Sequence, residues 1–145
     1  MTTEFELSRF LPYLLNQAAE ASGEEFQAHY RAKYGMLRTE WRVLFHIGCY
    51  GKMSAKEICN RASIHKTKVS RAVSALEAKR FVLRSENETD RRFEYLDLTK
   101  TGTGVFKELQ AAAETYETKL TENFTHKELE SLRINLERLS KGKRL

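Results

Sequence analysis

The chain has 145 residues, of which 41% are hydrophobic and 31% charged, and its formal net charge is +5. This size and balance are typical of one folded domain and exclude a disordered chain. No apolar run approaches the roughly 20 residues of a membrane helix, and Glu4 and Glu6 are unlike the cationic start of a secretory signal. We therefore expect one cytoplasmic domain, residues 1–145, with no membrane partner.

The first predicted element is a helix from about residue 8 to residue 34, because apolar residues recur near its start at helical spacing. Ser8 is the expected N-cap. That choice puts Pro12 in the first turn, where its ring costs little. Gly35 is expected to end the helix.

A second helix is predicted from residue 40 to about residue 49, with Thr39 as its N-cap and Gly51 just beyond its end. One side of this helix is apolar. The other side carries a polar stripe at steps of three or four residues: Arg38, Arg42, His46 and Cys49.

Two short helices separated by a tight turn come next, and they predict a helix-turn-helix. Ser54 and Glu57 have the spacing of a capping box, which predicts a helix from residue 55 to about residue 61. The following helix, with His65 as its N-cap, has its apolar side chains at Val69, Ala72, Val73 and Leu76. Its outer side is small, polar and basic, as a helix entering a major groove about 12 Å wide requires. The outward residues are Lys66, Thr67, Lys68, Ser70, Arg71 and Ser74.

A small β-hairpin is predicted after this helix. Residues 81–85 and 93–98 alternate as paired strands around a loop in which Asn87 is expected to have a positive φ. The loop ends in Asp90, Arg91 and Arg92. A basic helix followed by a basic hairpin is typical of a winged helix-turn-helix that binds duplex DNA.

The positive charge is concentrated in this region. Residues 52–92 contain eleven Lys and Arg but only five Asp and Glu, so the rest of the chain is close to neutral. A local basic surface attracts a polyanion through counterion release.

The C-terminal part is predicted to be helical. Thr99 is the expected N-cap of a long helix to about residue 123, and Thr125 with Glu128 forms a second capping box. Leu129, Leu132, Leu136 and Leu139 follow at steps of three or four residues. The apolar stripes at both chain ends exceed what one small domain can bury, which favours a dimer; the alternative is that they close a monomeric core.

The tip Asp90-Arg91-Arg92 and the exit Leu96-Asp97-Leu98-Thr99 resemble the MarR family of transcriptional regulators, and the resemblance covers nearly the whole chain. It implies a mainly α fold with a small β-hairpin wing. Residues 35–98 would form the winged helix-turn-helix, and residues 1–34 and 99–145 would form dimerisation helices. The second helix of the helix-turn-helix, which follows His65, would be the recognition helix. Two positions depart from the family: Arg80 replaces the usual glycine after the recognition helix, and His65 replaces a small capping residue at its start.

The resemblance also implies two sites. DNA would be bound by the recognition helix and the wing, with Arg92 in the minor groove. The candidates are Ser54, His65, Lys66, Thr67, Lys68, Ser70, Arg71, Ser74, Asp90, Arg91 and Arg92. Family members often bind small aromatic acids beside the second helix, which makes Arg38, Arg42 and His46 candidates for an effector site. Equally, Arg42 would form an ion pair between helices or subunits and His46 would be an ordinary interfacial histidine.

The sequence therefore predicts a homodimeric repressor that binds an inverted-repeat operator on double-stranded DNA and is released by a small anionic aromatic effector. One alternative is a thiol sensor using Cys49 or Cys59. Another is an architectural protein that follows phosphates without sequence preference. An enzyme, a cofactor or a metal site is not expected, because His46 and Cys49 lack a third orienting group and no metal-ligand spacing occurs.

Overall fold

The structure is a computed structural model that describes residues 4–90 and 92–140. Within this part of the chain there are six α-helices and one antiparallel hairpin. The helices are α1 (Leu11–Tyr34), α2 (Arg38–Tyr50), α3 (Ala55–Ala62), α4 (Lys66–Ala78), α5 (Lys100–Leu120) and α6 (His126–Leu139), and the strands are β1 (Val82–Glu86) and β2 (Glu94–Leu98). Val82 lies opposite Leu98 in the hairpin, and the backbone of Met53 pairs with Leu96 as a one-residue third strand. The predicted fold class is confirmed.

The core of the winged domain lies between α2 and α4. The four apolar residues predicted to face inward from α4 (Val69, Ala72, Val73 and Leu76) are each at most 4% exposed. They share one cluster with Val43, Leu44 and Ile47 of α2. Burying a side chain of this size stabilises a fold by about 1.5–3 kcal/mol. This packing fixes which side of α4 faces solvent.

Two predicted helix starts were wrong. Helix α1 begins after Phe10, because Ser8 lies in a preceding 3₁₀ turn, Leu7–Arg9. Helix α2 begins after Leu37, whose side chain makes no capping hydrogen bond, and Thr39 lies inside the helix. Met36, between the two helices, is fully buried. The burial of this side chain, rather than a local capping signal, sets where α2 starts.

The other N-caps are close to the predictions. Ser54 Oγ accepts a hydrogen bond from the Glu57 N–H at 3.2 Å, but the reciprocal bond from the Ser54 N–H to Glu57 is not among those formed by the described residues. At Thr125 both bonds of the capping box form. Thr99 Oγ1 caps α5 at 2.9 Å from the Gly102 N–H. Helix α5 ends at Leu120, earlier than predicted.

Helices α1 and α5 are joined by a polar cluster around Glu108. Its carboxylate lies 2.7 Å from Lys33 Nζ, accepts a hydrogen bond from Tyr34 at 2.7 Å and lies 3.2 Å from His29 Nε2. Partial burial opposes ionisation of Glu108, but these three contacts outweigh it and lower its pKa to about 2. The carboxylate therefore stays charged at neutral pH and holds α5 along α1.

Helix α6 has no buried residue in the single chain. Leu132, Leu136 and Leu139 are 42–51% exposed, and Leu11 and Leu14 near the start of α1 are 57% and 42% exposed. The chain as a whole exposes 10999 Å². A compact monomer of 16.9 kDa is expected to expose only about 7,700 Å². The excess surface includes both leucine stripes found in the sequence.

Helix α5 begins in close contact with the turn that precedes β1. A Cβ built on Gly102 would lie 1.9 Å from the carbonyl oxygen of Phe81, so only glycine fits there. The Thr99 N–H donates to the same oxygen at 3.0 Å. The winged domain is thus tightly joined to α5 at this point.

This close approach predicts that Gly102→Ala destabilises the fold by ~3 kcal/mol, because the backbone of Phe81 must move. Gly104, two residues further along, is the matched control, since a Cβ there would meet nothing within 4 Å. Gly104→Ala should stabilise the chain by about 0.5–1 kcal/mol through helix propensity. Thermal and urea unfolding of both variants measures the difference. Equal effects of the two substitutions would contradict the predicted contact.

Candidate nucleic-acid interface and adjoining cavity

The outward face of α4 is fully available to a partner. Six candidate side chains are exposed on it: Lys66, Thr67, Lys68, Ser70, Arg71 and Ser74. His65 is a functioning N-cap, because its Nδ1 accepts a hydrogen bond from the Thr67 N–H at 3.2 Å. The face therefore combines one arginine, two lysines and small hydroxyl side chains on a rigid, well-capped helix.

The turn between α3 and α4 is held by Arg42, which the sequence pattern made a candidate for the effector site. Ser63 adopts a left-handed conformation with φ 53°, and Ile64 is 7% exposed. The guanidinium of Arg42 donates a hydrogen bond to the carbonyl of Ala62 at 2.6 Å, at the end of α3. Because the contact spans 20 residues, no local sequence signal could have indicated it.

The wing loop is ordered by the side chain of Asn87. Its Oδ1 accepts hydrogen bonds from the Thr89 N–H at 2.9 Å and from Thr89 Oγ1 at 2.7 Å. Its Nδ2 donates to the hydroxyl of Tyr95 at 3.2 Å. The predicted positive φ of Asn87 was wrong, since only Ser63 and Arg80 have one among the described non-glycine residues. The side-chain turn replaces the backbone conformation that the sequence suggested.

At the wing tip, Asp90 holds Arg92. The Arg92 guanidinium makes contacts of 2.7–3.2 Å with both carboxylate oxygens, and the Arg92 N–H donates to Oδ1 at 3.1 Å. These side-chain and backbone hydrogen bonds lower the pKa of Asp90 below its ordinary value. The Arg92 side chain is nevertheless 85% exposed. It is thus oriented and still accessible. Arg91 lies outside the described residues.

The wing is tied to α4 and to the loop before α3. Arg84 of β1 contacts Glu77 of α4 at 3.2 Å and Glu94 of β2 at 3.2 Å. Lys52, next to the candidate Ser54, places its Nζ 5.2 Å from the centre of the Tyr95 ring. The recognition helix, the wing and the start of α3 therefore form one body.

Arg80 occupies the position where the MarR-type pattern usually has glycine, and it adopts a left-handed conformation with φ 64°. This costs an L-residue about 1–2 kcal/mol. Its carbonyl accepts a hydrogen bond from Thr99 Oγ1 at 2.6 Å. The turn is kept by this contact in spite of the unfavourable residue.

A cavity of about 930 Å³ adjoins α1 and the start of α2. Aromatic rings form part of its lining, with Tyr30 and Trp41 stacked at 5.9 Å and an interplanar angle of 2°. Arg38 lines it as well, and Glu20 and Glu24 contribute polar groups from α1. The cavity therefore combines the edge of an aromatic pair with one guanidinium and two carboxylates, and Arg38 is the group in this lining that could bind an anion.

Of the three predicted effector residues, only Arg38 lines this cavity. Arg42 is directed to the carbonyl of Ala62, as described above. His46 is 9% exposed, and its Nδ1 lies 2.7 Å from the Arg42 carbonyl oxygen. Partial burial, followed by the charge of Arg38, lowers the pKa of Arg42. The structure thus separates the three effector candidates into one cavity residue and two residues packed within the winged domain. Tyr30 and Trp41, which no motif singled out, belong to the cavity.

Cys49 does not have the surroundings of an activated thiol. Partial burial raises the pKa of the exposed Cys49 thiol, which disfavours the reactive thiolate. Cys59 is half-buried at the edge of the core. Within residues 4–90 and 92–140, no three or more His, Cys, Asp or Glu side chains are grouped so as to hold a metal ion. None of the described helices combines the length and the hydropathy needed to cross a membrane.

Comparison with known proteins agrees with this geometry. A sequence model of the MarR family matches residues 34–92, from the end of α1 to the wing tip. A MarR/EmrR family transcriptional regulator from Acinetobacter sp. ADP1 is 26% identical, covers 94% of this chain and 96% of its own, and superposes with a TM-score of 0.85. The segment from residue 34 to residue 92, which contains the winged helix-turn-helix, therefore matches the MarR family. The HTH-type transcriptional regulator YwoH of Bacillus subtilis (strain 168) is 25% identical over 86% of this chain and 90% of its own length.

Two more distant MarR-type structures share the fold. Bordetella bronchiseptica BpsR, whose DNA binding is regulated by 6-hydroxynicotinic acid, is 20% identical, with a TM-score of 0.85 over 95% of this chain and 98% of its own. A cysteine-to-serine variant of E. coli MarR in complex with operator DNA is also 20% identical. The match covers 94% of this chain and 99% of its own, with a TM-score of 0.80. At this identity the likeness establishes the fold alone.

Proposed function

We propose that this protein is a MarR-type homodimeric repressor that binds an inverted-repeat operator and is released by a small anionic aromatic ligand. The observation that carries the proposal is the wing tip: Arg92 is held in place by Asp90 yet 85% exposed, on the same body as the basic outer face of α4. As a regulator of transcription it would act in the cytoplasm, at a bacterial chromosome.

Dimerisation is supported by the surface that the single chain leaves exposed. Residues 1–34 and 99–145 would supply the interface, with the leucines of α6 packing against those near the start of α1 in a second copy. The excess of about 3,300 Å² per chain is large enough for the interface of a stable homodimer, which buries roughly 2,000–5,000 Å² counted over both chains. A two-fold axis would then present two α4 helices to major grooves about 34 Å apart.

The role of each DNA-facing residue follows from its chemistry. Arg71 projects from the middle of the outer face of α4, where bidentate hydrogen bonding to a guanine edge gives sequence preference. Lys66 and Lys68 lie in the first turn and are suited to phosphates. Arg92 would enter the minor groove, where a narrow groove strengthens the negative potential. Ser54, His65, Thr67, Ser70 and Ser74 would complete the contacts as smaller polar groups.

The effector part of the proposal rests on the cavity. Arg38 would bind the carboxylate, and the stacked Tyr30 and Trp41 would border the ring of the ligand. The regulation of BpsR by 6-hydroxynicotinic acid, a small aromatic acid, is consistent with this class of ligand for a protein of the same fold. Release requires that the ligand prefer the form that does not bind DNA, and 10-fold release needs about 1.4 kcal/mol of preference.

The wing assignment predicts that Arg92→Ala weakens binding to operator fragments, selected from the source genome, by about 1–3 kcal/mol. Arg31→Ala, which removes an exposed arginine from α1, is the matched control and should leave affinity unchanged.

The outer face of α4 gives a second prediction: Lys68→Ala should weaken binding to all sequences alike, whereas Arg71→Ala should relax the preference at one operator position. Fluorescence anisotropy at physiological salt measures these affinities. Unchanged affinity in Arg92→Ala would contradict the wing assignment, and a preference for the operator below about 10³-fold over random DNA would favour an architectural protein.

The effector assignment predicts that Arg38→Ala leaves DNA binding nearly intact and abolishes release by an aromatic acid. Calorimetry with 6-hydroxynicotinate and hydroxybenzoates identifies the probe, and DNA release is then compared between the parent and Arg38→Ala. Arg42→Lys serves as a comparison, because Arg42 lies outside the cavity and should not change the affinity for the acid. If no acid binds and oxidation of Cys49 or Cys59 releases DNA instead, the regulator is a thiol sensor.

A further inference from the structure

The ends of four helices meet at one short segment, Lys79 and Arg80. Lys79 is the C-cap of α4, and its Nζ lies 3.3 Å from Glu40 Oε1 near the start of α2. A Cβ on Gly35, the C-cap of α1, would lie 4.0 Å from Lys79 Cε. The Arg80 carbonyl accepts a hydrogen bond from Thr99, the N-cap of α5. We call these five residues the helix-end junction.

The signs of the two charges in this junction match the helix ends that they occupy. Glu40 lies in the first turn of α2, whose N-cap Leu37 offers no side-chain hydrogen bond. A carboxylate there complements the positive end of the helix dipole. Lys79 lies at the C-terminal end of α4, where a cation complements the negative end. The ion pair therefore links the start of α2 to the end of α4 with favourable electrostatics at both.

Stability alone does not account for this ion pair. The Glu40 side chain is only 6% exposed and that of Lys79 is 30% exposed. Removing a carboxylate from water costs several kcal/mol, and apolar residues of similar size often stabilise a fold as well or better. In some proteins a buried ion pair instead selects one defined arrangement of the elements that it joins. Here the two elements are α2 and α4, and α4 is the proposed recognition helix.

We propose that Glu40 and Lys79 are positioning residues that fix the angle of α4 relative to α2 and, through Gly35 and Thr99 in the same junction, relative to α1 and α5. Because α1 and α5 belong to the proposed dimerisation part, this angle would set the separation of the two recognition helices. The inference rests on the proposed function for that last step. Arg38 and Trp41 flank Glu40 along α2 and line the cavity, so a ligand bound there would act directly beside the junction.

The first test measures the position of α4 within one chain and needs neither DNA nor a dimer. Nitroxide labels are placed at the exposed positions of Ala28→Cys in α1 and Ser74→Cys in α4, in a Cys49→Ser and Cys59→Ser background. Labelled chains are diluted with unlabelled chains, and the distance is measured by double electron–electron resonance. The parent should give a single narrow distance distribution. Lys79→Met and Glu40→Gln should each lose it, giving a broadened or shifted distribution.

Three controls separate positioning from general loosening. Lys79→Arg keeps the charge and should restore the narrow distribution. Lys119→Met removes an exposed ion pair with Glu25 between α5 and α1, away from the junction, and should leave the distribution unchanged. Ile58→Val should lower the unfolding temperature through a core defect, again without broadening. A narrow, unchanged distribution in both Lys79→Met and Glu40→Gln would overturn the proposal, and so would equal broadening in Ile58→Val.

The second test uses operator duplexes whose half-sites are moved one base pair closer or farther apart. The parent should discriminate between spacings by at least about 10-fold, and Lys79→Met by less than about 3-fold, because a variable helix position no longer favours one spacing of base contacts. A parent chain that binds no duplex would contradict the proposed function while the distance measurement still tests the junction. If Lys79→Met changes neither the label distances nor the preferred half-site spacing while the parent still binds DNA, the proposed role of the junction is wrong and the proposed function stands.

Discussion

The structure depends on the burial of one side of α4 against α2. Four apolar side chains of α4 lie in the core, and this leaves every polar and basic residue of the helix on the opposite side. The wing follows from the same packing, because β1 begins just after α4 and Arg84 ties it back to Glu77. A rigid pair of DNA-facing elements is therefore a direct consequence of how one amphipathic helix is packed.

The terminal helices have the opposite character. Helix α6 has no fully buried residue in the single chain: Leu129 is half-buried, and an ion pair between Arg133 and Glu117 joins the helix to α5. The leucines near the start of α1 are exposed. The winged domain has its core within one chain, whereas most of the apolar side of α6 remains exposed. In the proposed dimer a second copy would bury these leucines. This division explains why binding two half-sites and dimerisation would be inseparable.

Local sequence signals were sufficient for most of the fold. The inward stripe of α4, the caps at Ser54, Thr99 and Thr125 and the hairpin all follow from spacing within a few residues. The sequence did not reveal contacts between distant segments. The start of α2 is set by the burial of Met36, and Arg42 is drawn to a carbonyl at the end of α3 rather than to a ligand.

The candidate site divides in the same way. The exposed residues of α4 and the pairing of Asp90 with Arg92 depend on short-range geometry that a motif records. The cavity depends on α1 crossing the start of α2, so its aromatic lining, Tyr30 and Trp41, has no sequence signature. The same is true of Glu40 and Lys79, which are 39 residues apart in the chain.

In the proposed complex, two copies of this chain place α4 in successive major grooves with the wings in the flanking minor grooves. Hydroxyl-radical footprinting on a fragment selected from the source genome tests it most directly. The account predicts two protected patches centred about one helical turn apart, roughly 34 Å, with weaker flanking protection that disappears in Arg92→Ala. A single patch, or uniform protection along the fragment, would contradict it.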